Sequence, residues 1–162
     1  MERFVVYIEL EDYLKQWFIN EMGGDMPVKL IRGSVESKIL EVFLTKRPED
    51  LAPDLGGEDK LPIIIPEFRN RPADVYNHLP KHAVTSLQNI IRHRFDISLW
   101  KDLNTFGNII GNRQDDLIYA WMEKHGIEIN EKNWNAIAKR YQRQRMCYAN
   151  RERARKNYFC KK

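Results

Sequence analysis

Residues 80–95 read PKHAVTSLQNIIRHRF, and this stretch divides the sequence into two kinds of pattern. Its apolar residues recur every three or four positions, which predicts a helix that begins near Pro80 and has one apolar face. That face carries Val84, Leu87, Ile91 and Phe95. Every element that we predict from this stretch to the end of the sequence is helical.

Upstream of this stretch, strands and helices alternate. A strand is predicted over Arg3–Glu9, because Phe4, Val6 and Ile8 alternate with other residues. A helix is predicted over Glu11–Met22, and the pair Gly23-Gly24 ends it. The N-terminal part of the sequence therefore begins with a strand followed by a helix.

Three further segments upstream have strand character. Residues 34–44 fit either a helix capped by Ser34 or a strand, and we favour a capped turn followed by a strand over Ile39–Leu44. Residues 61–68 contain two prolines, which favour an edge strand because proline has no N–H to donate. The predicted additional strands are Pro27–Arg32, Ile39–Leu44 and Leu61–Phe68.

Two more helices are predicted downstream. Residues 114–125 place apolar side chains on one stripe and are followed by Gly126, and a last helix runs from near Asn130 to about Lys156. The sequence therefore predicts an α+β fold. We expect a small mixed sheet with one or two helices in residues 1–70 and an all-helical, basic half in residues 71–162.

Charge is distributed unevenly along the sequence. The chain carries a net charge of +4, but residues 137–162 contain ten lysines and arginines and the single acid Glu152, so that segment alone carries +9. The remaining residues carry −5. A segment of that sign attracts a polyanion, and DNA and RNA are the polyanions for which counterion release makes binding depend on salt.

Composition narrows the class of protein. With 162 residues, 43% of them hydrophobic and 31% charged, we expect a soluble chain that buries one core. No apolar run approaches the roughly 20 residues of a membrane span, and no signal-peptide pattern begins the sequence, so we expect a cytoplasmic protein. Cys147 and Cys160 would lie about 20 Å apart on one helix, which is too far for a disulfide, and we expect two reduced thiols.

The last two predicted helices carry the strongest functional pattern. Residues 114–125, the turn Gly126–Ile129 and residues 130–156 together resemble a generic helix-turn-helix, a motif that binds DNA with its second helix. On a helical wheel the second helix has one apolar stripe that could dock on Leu117, Ile118 and Trp121. That stripe comprises Trp134, Ile137, Ala138, Tyr141 and Tyr148.

The opposite face of the second helix is cationic. We expect the side chains there to contact the groove or the backbone of DNA, and the later arginines to bind phosphates. Arg145 lies on the apolar side, so it must extend to solvent or find a partner. The predicted nucleic-acid-binding residues are Asn135, Lys139, Arg140, Arg143, Asn150, Arg151, Arg153, Arg155 and Lys156. The bland alternative is an ordinary surface helix with solvated charges.

A variant of this hypothesis keeps the polyanion and changes its form. Aromatic residues that alternate with basic ones are typical of proteins that stack unpaired bases and follow their backbone. At helical spacing, however, Tyr141 and Tyr148 fit a core as well as they fit a stacking platform. The aromatic residues in question are Tyr141, Tyr148, Tyr158 and Phe159.

Enzyme interpretations have weaker support. His78 and His82 are four residues apart, but Pro80 interrupts the helix between them and no glutamate follows His78. The triplet Glu58-Asp59-Lys60, with Asp54 and Glu67 nearby, resembles the acid-x-Lys element of metal-dependent nucleases, yet it lies in a Gly-rich acidic loop. Phosphate-binding, nucleophile-elbow and dinucleotide motifs are missing. We therefore expect no catalytic residues, no metal and no cofactor.

The sequence thus predicts a regulatory or accessory protein that binds nucleic acid, double-stranded DNA before RNA, and does not contact a membrane. An edge of the N-terminal sheet could pair with a second copy to form a homodimer. The first alternative is a non-catalytic interaction module whose basic tail docks on an acidic protein, and a nuclease is the second.

Overall fold

The computed structural model describes residues 4–107 and 113–159. In these ranges a small N-terminal sheet is followed by a mostly helical chain, which confirms the predicted α+β class. None of the helices in these ranges has the length and apolar character that crossing a membrane requires. The elements are β1 (Val5–Glu9), α1 (Asp12–Glu21), α2 (Val35–Phe43), β2 (Lys60–Ile64), α3 (Lys81–Gly107), α4 (Gln114–Lys124) and α5 (Glu131–Phe159).

The two strands pair antiparallel, with Val5 opposite Ile64 and Glu9 opposite Lys60. The Ile65 N–H donates to the Phe4 carbonyl, so, by the alternation of antiparallel ladders, Pro62 stands at a position that needs no N–H toward β1. The register thus explains why a strand can contain this proline. The predicted strand over Leu61–Phe68 is shorter in the structure and ends at Ile64.

Two strand predictions were wrong. Pro27–Arg32 contributes only a single parallel bridge, at Val28, to the other side of β2. Because of that bridge, β2 is not the bare edge strand that its prolines predicted. The segment Ile39–Leu44 lies mostly in helix α2, because Ser34 caps the helix by accepting a hydrogen bond from the Ser37 N–H at 3.2 Å.

The chain forms two compact units, Met1–Phe95 and Asp96–Lys162, and α3 contributes residues to both. In the first unit the sheet and the helices α1, α2 and α3 bury an apolar core that includes Ile8, Leu14 and Leu40. Phe95 of α3 meets the rings of Tyr13 and Trp17 edge-on, each at a centroid distance of 5.3 Å. The predicted division between residues 70 and 71 stays a prediction.

In the second unit, α4 and α5 are joined by a tight turn. Gly126 has a φ of +65°, a left-handed conformation that favours glycine, and the Ile127 N–H donates to the Met122 carbonyl at 2.9 Å. Asn130 then caps α5, since its side-chain oxygen accepts a hydrogen bond from the Asn133 N–H at 2.8 Å. Among the described residues of this unit, the buried apolar ones are Leu99, Leu103, Ile118, Trp121, Met122, Ile127, Ile137 and Tyr141.

Candidate nucleic-acid interface

Helix α5 has two halves that differ in burial. In the first half Asn133, Ile137 and Tyr141 are buried at intervals of four residues. From Gln142 to Tyr158 none of the 17 residues is buried, and all but Gln144 and Glu152 are exposed. The second half of α5 therefore exposes most of its side chains to solvent.

An ion pair and a hydrogen bond attach the middle of α5 to the start of the second unit. The Arg140 guanidinium donates two hydrogen bonds to the Asp96 carboxylate, at 2.8 and 3.0 Å. The Gln144 side-chain amide donates to the Asp96 carbonyl at 2.8 Å. A bidentate arginine–carboxylate pair fixes orientation as well as distance, so it holds this turn of α5 in one geometry.

A second polar cluster is centred on Asp102 of α3. One oxygen of its carboxylate, Oδ2, accepts a hydrogen bond from the Trp121 indole N–H at 3.1 Å. The same oxygen lies 3.2 Å from His125 Nε2 and 3.6 Å from Lys124 Nζ. Burial alone would raise the pKa of Asp102, but the hydrogen bonds to His125 and Trp121 and the Lys124 charge outweigh it and lower that pKa. The cluster positions the end of α4.

The apolar stripe predicted for α5 is divided between core and surface. Ile137 and Tyr141 are buried, whereas Tyr148 is 53% exposed. Trp134 is half-buried and stacks on Tyr119 of α4, with ring centroids 5.9 Å apart. The pairing with Tyr119 was not predicted, because Tyr119 lies off the apolar stripe of α4.

The predicted cationic face lies on one side of α5 and extends into its exposed half. Spacings of three, four and seven residues place these side chains on a common side. Asn135 is half-buried and the others are exposed. We call this set the basic stripe: Asn135, Lys139, Arg143, Asn150 and Arg153. The remaining predicted residues, Arg140, Arg151, Arg155 and Lys156, lie on other sides of the helix.

The predicted site residues differ in whether the fold itself uses their charge. Arg140 is committed to Asp96, and Arg155 lies 3.2 Å from the Glu152 carboxylate. Arg145 finds a partner, as its position requires, because it donates to the Gln114 side-chain oxygen and lies over the Tyr141 ring. Within residues 4–107 and 113–159, five predicted cations have no carboxylate at ion-pair distance: Lys139, Arg143, Arg151, Arg153 and Lys156.

Two grooves flank the middle of α5. One, of about 430 Å³, is lined by residues of α4 and α5, including Asp115, Trp134 and Lys139. The other, of about 420 Å³, lies between α3 and α5 and is rich in aromatic and amide groups. We call it the aromatic groove, and it is lined by Trp100, Asn104, Gln142, Arg145, Met146 and Tyr148. Sequence reasoning missed Trp100, since nothing local connects it with a helix that begins 31 residues later.

The residues considered above for a nuclease or a metal site make contacts within the fold. The Lys60 ammonium lies 2.8 Å from the Asp54 carboxylate, and the hydrogen bond from Lys60 lowers the pKa of Asp54. The His82 ring meets the Phe43 ring edge-on at 5.4 Å. Over the described part of the chain, no group of three or more His, Cys, Asp or Glu side chains is arranged to hold a metal ion.

The cysteine and aromatic predictions near the C-terminus are partly outside the described residues. Cys147 is a free, exposed thiol on α5, whereas Cys160 lies outside the described residues. Tyr158 is 63% exposed, and the side chain of Phe159 is not described. Compared with known proteins, the chain matches no protein-family model, no curated protein and no solved structure.

Proposed function

We propose that this chain is a non-catalytic, cytoplasmic protein that binds nucleic acid, double-stranded DNA in the first place, through the basic stripe of α5. One observation carries the proposal. The cations Lys139, Arg143 and Arg153 lie along one exposed side of α5 and have no acidic partner among the described residues. A fold that needed these charges for its own stability would pair them, as it pairs Arg140.

The dimensions of α5 suit a duplex. At about 1.5 Å per residue, the exposed half of the helix is about 24 Å long, and Lys139 and Arg153 are about 21 Å apart along its axis. The major groove of B-DNA is about 12 Å wide, which admits one α-helix. A helix enters that groove with a side that is clear of its own fold, and the side of α5 that carries Arg143, Asn150 and Arg153 is exposed.

The polar members of the basic stripe add hydrogen-bonding capacity. Asn150 lies between Arg143 and Arg153 on the same side of α5, and asparagine can form a bidentate contact with adenine. The arginines can bind phosphates or guanine in the same groove. Together with α4 these residues support the helix-turn-helix interpretation, in which α5 is the recognition helix.

The salt dependence of DNA binding tests the proposal. About five phosphate contacts predict a slope near −4.5 for log affinity against log salt concentration. The variant K139Q/R143Q/R153Q removes up to three contacts and should reduce the slope to about −1.8. Fluorescence anisotropy with a labelled duplex between 50 and 300 mM salt gives both values.

A matched control separates a local contact from net charge. The variant K29Q/K38Q/R69Q also removes three exposed cations, but from the first unit. It should bind DNA with the slope of the unaltered chain. If the unaltered chain fails to bind at low salt, or if both triple variants weaken binding equally, the basic stripe is not a DNA interface.

A protein partner is the second candidate, and one feature favours it. Met146 and Tyr148 are 59% and 53% exposed among the arginines of α5, and the centres of protein interfaces are enriched in methionine, tyrosine and arginine. In that case the basic half of α5 would dock on an acidic protein surface. A salt slope near zero for DNA would favour this candidate over nucleic acid.

The proposed assembly is a homodimer. In the register of the sheet, Val5 and Tyr7 direct their backbone groups away from β2, so this edge of β1 has hydrogen-bonding groups that a second copy of the strand could pair. Sedimentation equilibrium of the unaltered chain and of a variant with Val5 replaced by proline tests the pairing. The variant should be monomeric, and a dimer that persists contradicts this edge as the interface.

A further inference from the structure

The aromatic groove contains a pair of rings that the fold only half covers. The Trp100 and Tyr148 rings lie 5.4 Å apart and are tilted by 41°. Trp100 also contacts the buried ring of Tyr141, at 6.0 Å, so the core fixes the position of Trp100. Tyr148 remains 53% exposed, and its ring has a free surface toward solvent.

The chemistry of the groove suits a flat, polar, anion-bearing ligand. Its apolar surface comes from Trp100, Tyr148 and Met146, and the Gln142 amide supplies a hydrogen-bonding group. Arg145 adds a cation at the wall of the groove, where its guanidinium lies over the Tyr141 ring and donates one hydrogen bond to the Gln114 side-chain oxygen at 2.6 Å. Stacking surfaces, an amide and a guanidinium together are the set that recognises an unpaired nucleobase and its phosphate.

We propose that the aromatic groove stacks an unpaired nucleobase, so that the preferred ligand is a nucleic acid with a single-stranded segment. This inference rests on the proposed function, because it assigns a substrate class to the same helix. Charge complementarity selects the occupant. Arg145 lies in the groove, and Arg151 follows Tyr148 by three residues, so both cations can meet the phosphates on either side of the base.

The aromatic groove and the basic stripe would bind different parts of the same nucleic acid. Tyr148 is displaced from Arg143 and Asn150 around the helix, and the groove and the basic stripe adjoin at Met146, which lines the groove and lies between those two stripe residues. A duplex can occupy the stripe while an adjoining unpaired strand follows Arg151 into the groove. A duplex with a single-stranded extension would use both surfaces, and a blunt duplex would use the stripe alone.

The unaltered chain gives the first test. Two 12-nucleotide single strands are compared by fluorescence anisotropy: oligothymidylate, and a strand of the same length in which every base is replaced by an abasic site. Both carry the same phosphates, so the difference between them measures the contribution of the bases. We expect the strand with bases to bind about tenfold more tightly, within the range found for base–aromatic stacking.

Variants at Tyr148 locate the stacking. Y148A should weaken binding of the base-bearing strand about tenfold, leave the abasic strand within twofold and leave a blunt 12-base-pair duplex within twofold. Y148F keeps the ring and should keep the affinity. The control Y119A removes a ring that is 42% exposed and also pairs with a tryptophan, but outside the groove, and should change nothing.

The outcomes separate this inference from the proposed function. If no strand and no duplex binds at low salt, both fail. If strands and duplex bind with a steep salt slope but the abasic strand binds as tightly as the strand with bases, the stacking site is refuted and the basic stripe stands. The abasic comparison uses the unaltered chain. It therefore tests the contribution of the bases even if circular dichroism shows that Y148A has lost helical structure. Equal weakening by Y148A and Y119A also refutes the groove.

Discussion

Helices α3 and α5 have nearly the same length, 27 and 29 residues, but they differ in how much of that length is buried. Helix α3 is buried at every fourth position over its whole length, at Ala83, Leu87, Ile91, Phe95, Leu99 and Leu103. On α5 the same spacing gives Asn133, Ile137 and Tyr141 and then reaches Arg145, which is exposed. The apolar stripe of α5 ends about halfway along the helix, although the helix continues.

Their arginines differ in the same way. On α3, Arg92 pairs with Glu11 at 3.2 Å and Arg94 pairs with the buried carboxylate of Glu36 at 2.7 Å. In the exposed half of α5, Arg143 and Arg153 have no acidic partner among the described residues. The fold therefore uses the charges of Arg92 and Arg94 on α3, but it does not neutralise those of Arg143 and Arg153 on α5.

The largest expected effect comes from the buried stripe of α3. Phe95 is fully buried and touches two aromatic rings, so F95A should lower the free energy of unfolding by about 3–5 kcal/mol through lost burial and a cavity. Urea unfolding followed by circular dichroism measures this change. M146A on α5 is the control, and it should change the free energy by less than about 0.5 kcal/mol. Equal losses would contradict the difference between the two helices.

The next largest effect concerns the ion pair between Arg140 of α5 and Asp96. R140A removes a bidentate pair and leaves Asp96 without its guanidinium, and it should cost about 1–2 kcal/mol, because both side chains are partly exposed and solvent screens them. Urea unfolding of R140A, D96N and the double variant gives the coupling energy. If the loss of unfolding free energy in the double variant equals the sum of the losses in the two single variants, the pair contributes no coupling energy.

Much of the helical half could be predicted from the sequence, because long amphipathic periods decide helices locally. The spacing of Val84, Leu87, Ile91 and Phe95 predicted α3, although the structure buries Ala83 and leaves Val84 half-buried, and Gly126 predicted the turn before α5. In the first unit the prediction over Ile39–Leu44 was wrong. The alternation of Leu40, Val42 and Leu44 does not mark one buried face of a strand, because Val42 is 60% exposed. The Ser34 cap stabilises a helix over this segment.

The cationic side of α5 could be predicted from the sequence, but the partners of its charges could not. Asp96 precedes Arg140 by 44 residues, and only the tertiary structure brings the two together. For the same reason the sequence indicated Tyr148 as a candidate stacking residue but not its pairing with Trp100, since the two rings lie on different helices. A helical wheel sorts the side chains of one helix, but it cannot show which of them another helix neutralises or covers.

A smaller effect concerns the Asp102 cluster and depends on pH. Its folded-state pKa lies below the ordinary value of 3.8, so the stabilisation is complete above that value and is lost as pH falls through the lower, folded-state pKa. D102N should therefore be less stable than the unaltered chain by about 1 kcal/mol at pH 7, because the hydrogen bonds from Trp121 and His125 lose a charged acceptor. Urea unfolding between pH 7 and pH 3 should show this difference shrinking below about pH 4. A difference that stays constant with pH contradicts the role of the carboxylate charge.

The smallest expected effect lies in the exposed half of α5. Arg155 pairs with Glu152 three residues earlier, but the arginine side chain is 73% exposed, and such pairs contribute at most about 0.5 kcal/mol. R155A should therefore leave the free energy of unfolding within that limit. Hydrogen exchange adds a second measurement, since amides of residues 145–158 should exchange faster than those of residues 85–103 and should gain protection when a strand is bound. A loss above about 1 kcal/mol in R155A would mean that this half of α5 takes part in the fold as α3 does, and its unpaired arginines would then need a structural explanation rather than a ligand.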